Sequence, residues 1–151
     1  MEPREPMKAL RLILAWSLAG IFGFAGAVKL SDPAAFARDI ENYRLLEPPF
    51  TGMLAAYLPW LEILSAIALL VPRLREGALR IIFALSLAFL TALLSAKLRS
   101  IDVNCGCFGG GPSHNITLAL ARTTGLAVAA LLSIWLEFRK RQTCDRPPGA
   151  V

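Results

Sequence analysis

Long apolar runs separated by short polar segments dominate the pattern of the chain. Four runs come close to the roughly 20 mostly apolar residues that a helix needs to cross a ~30 Å hydrocarbon core. They cover residues 12–28, 53–71, 78–96 and 116–136. An open strand would leave backbone polar groups unpaired in lipid. The pattern therefore predicts an all-α polytopic membrane protein, built as a four-transmembrane-helix bundle.

The composition agrees with a chain that has lipid as its solvent. Hydrophobic residues make up 56% of the 151 residues and charged residues 18%, against about 25% charged in soluble domains. The length allows one domain. We expect a transmembrane domain over 1–138, followed by a basic, disordered tail over 139–151 that contains Pro147, Pro148 and Gly149.

The first run has a second interpretation. Arg4, Lys8 and Arg11 are typical of the basic start of a signal peptide, and Ala25-Gly26-Ala27 is typical of a cleavage site. The apolar run is long for a signal peptide, and Lys29 follows it at once. These two features favour a retained first span.

The distribution of basic residues predicts the orientation in the membrane. The N-terminal tail, the 72–77 loop with the start of the third span, and the C-terminal tail carry about twice as many Lys and Arg residues as the other two loops. Because basic residues concentrate on the cytoplasmic side, we expect both termini in the cytoplasm of an inner-membrane protein. Loops 29–52 and 97–115 then face the periplasm. This arrangement accounts for the net charge of +5 without a nucleic-acid partner.

The first outer loop contains the signals of a short amphipathic helix. Asp32 can cap its start and Pro33 suits the first turn, and Pro48-Pro49 leads into the second span. Apolar residues recur between them at helical spacing: Phe36, Ile40 and Tyr43. Such a helix would lie on the membrane surface. It would either cap the bundle or form part of a surface for a partner.

A pair of cysteines in the second outer loop is the most informative motif. Cys105-Gly106-Cys107 would face an oxidising compartment, where thiols form disulfides. A bridge across one residue closes a very small ring and adds little stability. Strained bridges are also easily reduced. The pair therefore suits thiol–disulfide exchange, and Cys105 and Cys107 are the candidate catalytic residues.

Other interpretations of the pair stay open. It could staple the loop, it could be a chance pairing, or the two thiolates could bind a soft metal ion together with His114. A closed metal site usually needs a fourth ligand, so we predict no metal. Cys144 falls in the expected cytoplasmic tail, where it would be an idle thiol.

Charged residues inside the spans are the second candidate site. Glu62 and Arg122 lie at similar depth in spans two and four, where one charge costs about 2.5–3.5 kcal/mol on insertion scales. We expect them to pair inside the bundle, with Lys29 as a third member of a supporting polar cluster. The pair could simply lock two helices together. It could also tune the disulfide or hold the head group of a quinone.

Several motifs together resemble the family of methylamine utilisation protein MauE, over about residues 10 to 137. The resemblance includes Arg122, which stands where that family has an arginine in its last helix. The other matching segments are Gly23-Phe24-Ala25-Gly26-Ala27-Val28-Lys29-Leu30 with Asp32-Pro33, Tyr43-Arg44-Leu45-Leu46, Leu58-Pro59-Trp60-Leu61-Glu62 and Cys105-Gly106-Cys107-Phe108-Gly109.

The resemblance implies a fold and a pathway. It implies a DoxX-like four-helix membrane bundle that helps to mature the disulfide-rich small subunit of methylamine dehydrogenase, beside a thioredoxin-like periplasmic protein. The leading hypothesis is then a membrane thiol–disulfide relay, in which a thiolate of that partner attacks the Cys105–Cys107 disulfide. The electrons would pass to a membrane carrier such as a quinone, or flow the other way toward the thioredoxin-like protein. The relay would support disulfide formation in, or maturation of, a periplasmic disulfide-containing client. Disulfide-generating four-helix membrane enzymes usually use a second cysteine pair, which this sequence lacks, so a partner would have to supply it.

Two hypotheses compete with the relay. In the first, the bundle is a non-enzymatic assembly factor or scaffold whose cysteines staple a docking loop. In the second, it is a transporter or metal handler. Paired broken helices are typical of transporters, and the sequence shows none.

The predicted topology can be tested with a membrane-impermeant maleimide. After reduction of intact cells, Cys105 and Cys107 should be labelled, because their loop is expected outside the cytoplasm. Cys144 should be labelled only after lysis. Labelling of the loop cysteines only after lysis would contradict the orientation.

Overall fold

A computed structural model of the protein describes residues 5–47, 49–99 and 116–144, and these form five helices. They are α1 (Glu5–Ser31), α2 (Pro33–Asn42), α3 (Phe50–Leu70), α4 (Arg75–Leu98) and α5 (Ile116–Cys144). No strand occurs among the described residues. The predicted all-α class and the short helix between the first two spans are therefore confirmed.

Four of the helices are long and apolar enough to cross a bilayer: α1, α3, α4 and α5. Each begins before or at the first residue of its predicted run. Large apolar side chains cover much of their outer surface, including Trp16, Tyr57 and Leu64, whose exposed fractions are 64%, 70% and 60%. An exposed apolar surface of this extent is unusual for a soluble protein and is what lipid contact requires.

The four long helices form a ring in the order α1, α3, α4, α5. α1 packs most extensively on α3, and α4 on α5, while α3–α4 and α5–α1 contacts close the ring. Among the described residues, no close backbone contact joins the diagonal pairs α1–α4 or α3–α5. The interior therefore depends on side chains that reach across the ring.

One half of the interior is filled by a core of apolar side chains. Leu69 and Ile82 are fully buried there, and Leu18 and Leu79 are 1% exposed. Small residues, one from each of the four long helices, complete this core: Ala19, Ala66, Ala78 and Ala130. Packing is a main source of helix association in lipid, because apolar side chains gain little from leaving a solvent that is itself apolar.

Helix α2 closes the other end of the ring, which we call the α2 end. It begins as predicted, since the Asp32 side chain accepts a hydrogen bond of 2.8 Å from the backbone N–H of Ala35 and Pro33 occupies the first turn. It ends at Asn42, and Arg44 then adopts a left-handed backbone conformation with φ 48°. Phe36 and Tyr43 are buried against the bundle. α2 thus packs as a lid on the ring.

At the opposite end, Arg75 connects three helices. It lies in the first turn of α4, its Nε donates a hydrogen bond of 3.1 Å to the carbonyl of Leu69 in α3, and its Nη1 lies 3.9 Å from Oε1 of Glu137 in α5. Only four residues separate α3 from α4. This end of the bundle is therefore closed by a short turn and a shared arginine.

The last helix is longer than the predicted span. α5 continues to Cys144, so the first six residues that we assigned to the tail are helical. The boundary at 138 and the disorder of the remaining tail stay predictions, because residues 145–151 lie outside the described residues.

Gly26 sets the distance between α1 and α3. A Cβ atom built at this position would lie 2.8 Å from Cγ1 of Ile63, 2.9 Å from the carbonyl oxygen of Pro59 and 3.3 Å from Cβ of Glu62. The Ile63 side chain can move, whereas the Pro59 carbonyl is fixed in the backbone of α3. The two helices can therefore stay this close only with glycine at position 26.

The substitution Gly26→Ala should destabilise the bundle, because α1 must move away from α3. Overpacking of this kind typically costs about 1–3 kcal/mol. Thermal unfolding in detergent micelles would measure the loss. Gly20→Ala is a matched control on the same helix, since a Cβ there would have no neighbour within 4 Å. Equal stability of the two variants would show that the α1–α3 distance does not depend on Gly26.

Candidate functional site

A buried ion pair lies at the α2 end of the bundle. Nζ of Lys29, in the last turn of α1, is in close contact with Oε1 of Glu62, in the middle of α3. The two residues are 4% and 6% exposed. Each charge would be costly in lipid by itself, so their contact explains how both can be buried.

The local structure brings the pair together. α1 and α3 run antiparallel, and Gly26, one turn before Lys29, lets α1 approach α3 closely beside Glu62. Lys29 also lies at the C-terminal end of α1, where the helix dipole favours a positive charge. The close approach and the helix dipole therefore both stabilise the ammonium group in this position.

Aromatic rings surround the ammonium group. Nζ of Lys29 lies 5.1 Å from the ring centroid of Phe36 on α2 and 5.6 Å from that of Phe89 on α4, within the range of cation–π attraction. The rings of Tyr43 and Phe89 meet edge to face, with centroids 6.4 Å apart. Lys29 thus links α1, α2, α3 and α4 across the interior of the ring.

The hydrogen bonding of the acidic partner is incomplete. Oε2 of Glu62 is buried and has no hydrogen-bond partner among the described residues, and the same holds for the hydroxyl of Ser65 one turn further along α3. Buried polar atoms are nearly always paired. An unpaired carboxylate oxygen beside a cavity is therefore where a ligand or water would be expected to donate a hydrogen bond.

A cavity of about 460 Å³ adjoins the ion pair. Its walls come from all five helices and are mostly apolar, with Phe36 and Phe89 among them. The lining side chains that carry a polar group are those of Lys29, Asp39, Tyr43, Glu62, Ser86 and Thr123. Small-molecule sites commonly combine this size with apolar walls and a few polar groups.

The expected partnership of Glu62 with Arg122 needs correction. The partner of Glu62 is Lys29, and the Arg122 residue is exposed on α5 rather than inside the bundle. Since α3 and α5 are diagonal in the ring, similar depth does not place these side chains together. Lys29 and Glu62 belong to α1 and α3, which pack directly against each other. This packing determines that Lys29 is the partner of Glu62.

The candidate catalytic residues Cys105 and Cys107, and also His114, lie outside the described residues. The segment that contains them joins the end of α4 to the start of α5. Both anchor points lie at the α2 end: Leu93 and Ala96 of α4 and Ile116 of α5 pack around Tyr43. Nη1 of Arg99 also donates a hydrogen bond of 3.2 Å to the carbonyl of Arg44.

Some site residues were not identified from the sequence. Phe89, Ser86 and Thr123 line the cavity, but in the sequence they are ordinary members of apolar spans. Phe36 and Tyr43 did carry a signal, because they lie on the apolar face of the predicted amphipathic helix. In the part of the chain that the structure describes, no group of three His, Cys, Asp or Glu side chains could hold a metal ion.

Comparison with known proteins places the chain among relatives. A family model described as methylamine utilisation protein MauE matches residues 7–136. A methylamine utilization protein MauE of Paracoccus denitrificans is 32% identical over 139 residues, which cover 83% of this chain and 73% of the relative. No solved structure matches the chain.

Two further relatives bear the same name. The protein of Methylorubrum extorquens is 29% identical over 74% of this chain and 61% of its own length. That of Methylophilus methylotrophus is 35% identical over 60% of this chain and 48% of its own length. The chain thus spans about half to three quarters of the curated relatives that it matches. With a family model covering most of its residues, the chain belongs to the MauE family.

Proposed function

We propose that this membrane protein acts in methylamine utilisation as a thiol–disulfide relay that supports maturation of a disulfide-rich periplasmic client. The pathway rests on family membership, since three relatives are named methylamine utilization proteins. The client suggested by the resemblance is the small subunit of methylamine dehydrogenase. The relay rests on one observation, the Cys105-Gly106-Cys107 motif in the segment between α4 and α5.

The chemistry is a two-step exchange. A thiolate of a thioredoxin-like partner attacks one sulfur of the Cys105–Cys107 disulfide, forming a mixed disulfide and releasing the other cysteine as a thiolate. The second thiolate of the partner then attacks the mixed disulfide. The partner leaves as a disulfide, and Cys105 and Cys107 are reduced by two electrons. The reverse sequence moves two electrons to the partner.

The bundle supports this proposal by anchoring the segment at both ends. The ends of α4 and α5 that flank it pack around Tyr43 at the α2 end, and the Arg99 hydrogen bond joins α4 to the loop after α2. By the distribution of basic residues, this end faces the periplasm. The inner membrane, cytoplasmic termini and an oxidising location for the cysteines are parts of the same proposal.

Trapping the thiols in intact cells would test the relay. In a Cys144→Ser background, a membrane-impermeant maleimide should reveal a mixture of oxidised and reduced Cys105 and Cys107. Deletion of the thioredoxin-like partner should shift that mixture, because the partner is the source or the recipient of the electrons. The direction of the shift gives the direction of electron flow.

The double variant Cys105→Ser with Cys107→Ser is the matched control, and it should abolish maturation of the client. A pair that is always oxidised and indifferent to the partner would contradict the relay. If the double variant also supported full maturation, the bundle would instead be a non-enzymatic assembly factor.

A further inference from the structure

The cavity at the α2 end offers a hydrogen-bond donor and a hydrogen-bond acceptor side by side. The Lys29 ammonium group has three N–H donors, and one of them serves Oε1 of Glu62. Oε2 of Glu62 is a buried acceptor without a hydrogen-bond partner among the described residues. Both side chains line the cavity. A ligand with one oxygen at this point could accept from Lys29 and donate to Glu62.

The charge of the pair excludes an anionic head group. Glu62 neutralises Lys29, and its second oxygen would repel a phosphate or carboxylate placed beside it. Ser86 and Thr123 offer no free donor, because their hydroxyl groups already donate to the carbonyls of Ile82 and Ala119 in their own helices, so their oxygens can act only as acceptors. The polar part of the site therefore suits a neutral carbonyl or hydroxyl group.

The walls favour a ring with an apolar tail. The cavity has a volume of about 460 Å³, which is large enough for an aromatic head group. The rings of Phe36 and Phe89, which both contact the ammonium group of Lys29, form part of its walls. Leu54 and Leu61 of α3 also line the cavity, although each is 40% exposed. The cavity thus extends to the apolar outer surface of the bundle, where a tail can leave into lipid.

We propose that this cavity binds the ring of a lipid-soluble quinone or quinol, with one ring oxygen between Nζ of Lys29 and Oε2 of Glu62. A quinone carbonyl accepts a hydrogen bond from Lys29. A quinol hydroxyl can in addition donate one to Glu62, so the same position serves both oxidation states. Lys29 and Glu62 are the head-group ligands, and Phe36, Phe89 and Thr123 shape the pocket.

The site also supplies the relay with a redox partner, a link that rests on the proposed function. Reduced Cys105 and Cys107 would lose two electrons and two protons to become a disulfide. The quinone would take up these two electrons and two protons to become a quinol. Binding itself does not need the cysteines. It should persist in the Cys105→Ser, Cys107→Ser variant, so failure of the relay and failure of the site can be told apart.

Photolabelling tests the site directly. The full chain in phosphatidylcholine nanodiscs would be labelled with a decyl-benzoquinone that carries a ring azide, in competition with unlabelled decylubiquinone. Labelling should be saturable and should map to helices that line the cavity. Labelling that does not saturate would overturn the proposal. So would labelling that added lipid reduces as effectively as decylubiquinone does, because this would show that lipid chains occupy the cavity.

Two sets of variants sharpen the test. The double variant Lys29→Met with Glu62→Leu removes both charges together, which avoids a lone buried charge. It should weaken quinone binding roughly tenfold or more, because it removes hydrogen bonds to charged groups. Thr123→Leu should also weaken it by narrowing the pocket.

Thr124→Leu is the matched control for Thr123→Leu. Thr124 is the next residue on α5, makes the same kind of backbone hydrogen bond and is exposed outside the cavity. It should leave affinity unchanged. Equal affinity of the Thr123 and Thr124 variants for decylubiquinone would overturn the proposal, even if the charge-free variant failed to fold.

Discussion

The buried contact between Lys29 and Glu62 is the constraint on which the α2 end of the bundle depends. Either charge alone would be costly in the middle of a membrane protein, and breaking a buried pair typically costs about 3–5 kcal/mol because the other charge stays behind. The ion pair therefore fixes the end of α1 against the middle of α3. The rings of α2 and α4 that contact Lys29 are positioned by the same ammonium group.

The ion pair and the glycine before it act together. Gly26 permits the close approach of α1 and α3, and this approach brings a lysine on one helix to a carboxylate on the other. One acceptor of the pair, Oε2 of Glu62, has no hydrogen-bond partner among the described residues. A structural ion pair with a spare acceptor in a cavity has the chemistry of a binding site.

Much of the fold could be predicted from the sequence, because lipid allows few alternatives. Four apolar runs had to be helices, and Asp32-Pro33 located the start of α2 through ordinary capping chemistry. The arrangement of helices in the ring could not be predicted in this way. Depth along a span suggested Glu62 and Arg122 as partners, whereas the packing order made Lys29 the partner of Glu62. The cavity could be recognised only from the three-dimensional structure, because lining residues such as Phe89 and Thr123 lie far apart in the chain and have no distinguishing local sequence pattern.

The ring without close diagonal contacts has a consequence for how such proteins can diverge. Toward the Arg75 end, apolar side chains fill its centre and hold the helices together, and toward the α2 end the centre is hollow. Away from the Lys29–Glu62 pair, substitutions among the cavity-lining residues change mainly the shape of the cavity, whereas substitutions in the filled half remove contacts that the fold needs. The architecture thus separates the residues that maintain the fold from many of those that select an occupant. Descendants of one ancestral bundle could exchange one lipid-soluble molecule for another with little loss of stability.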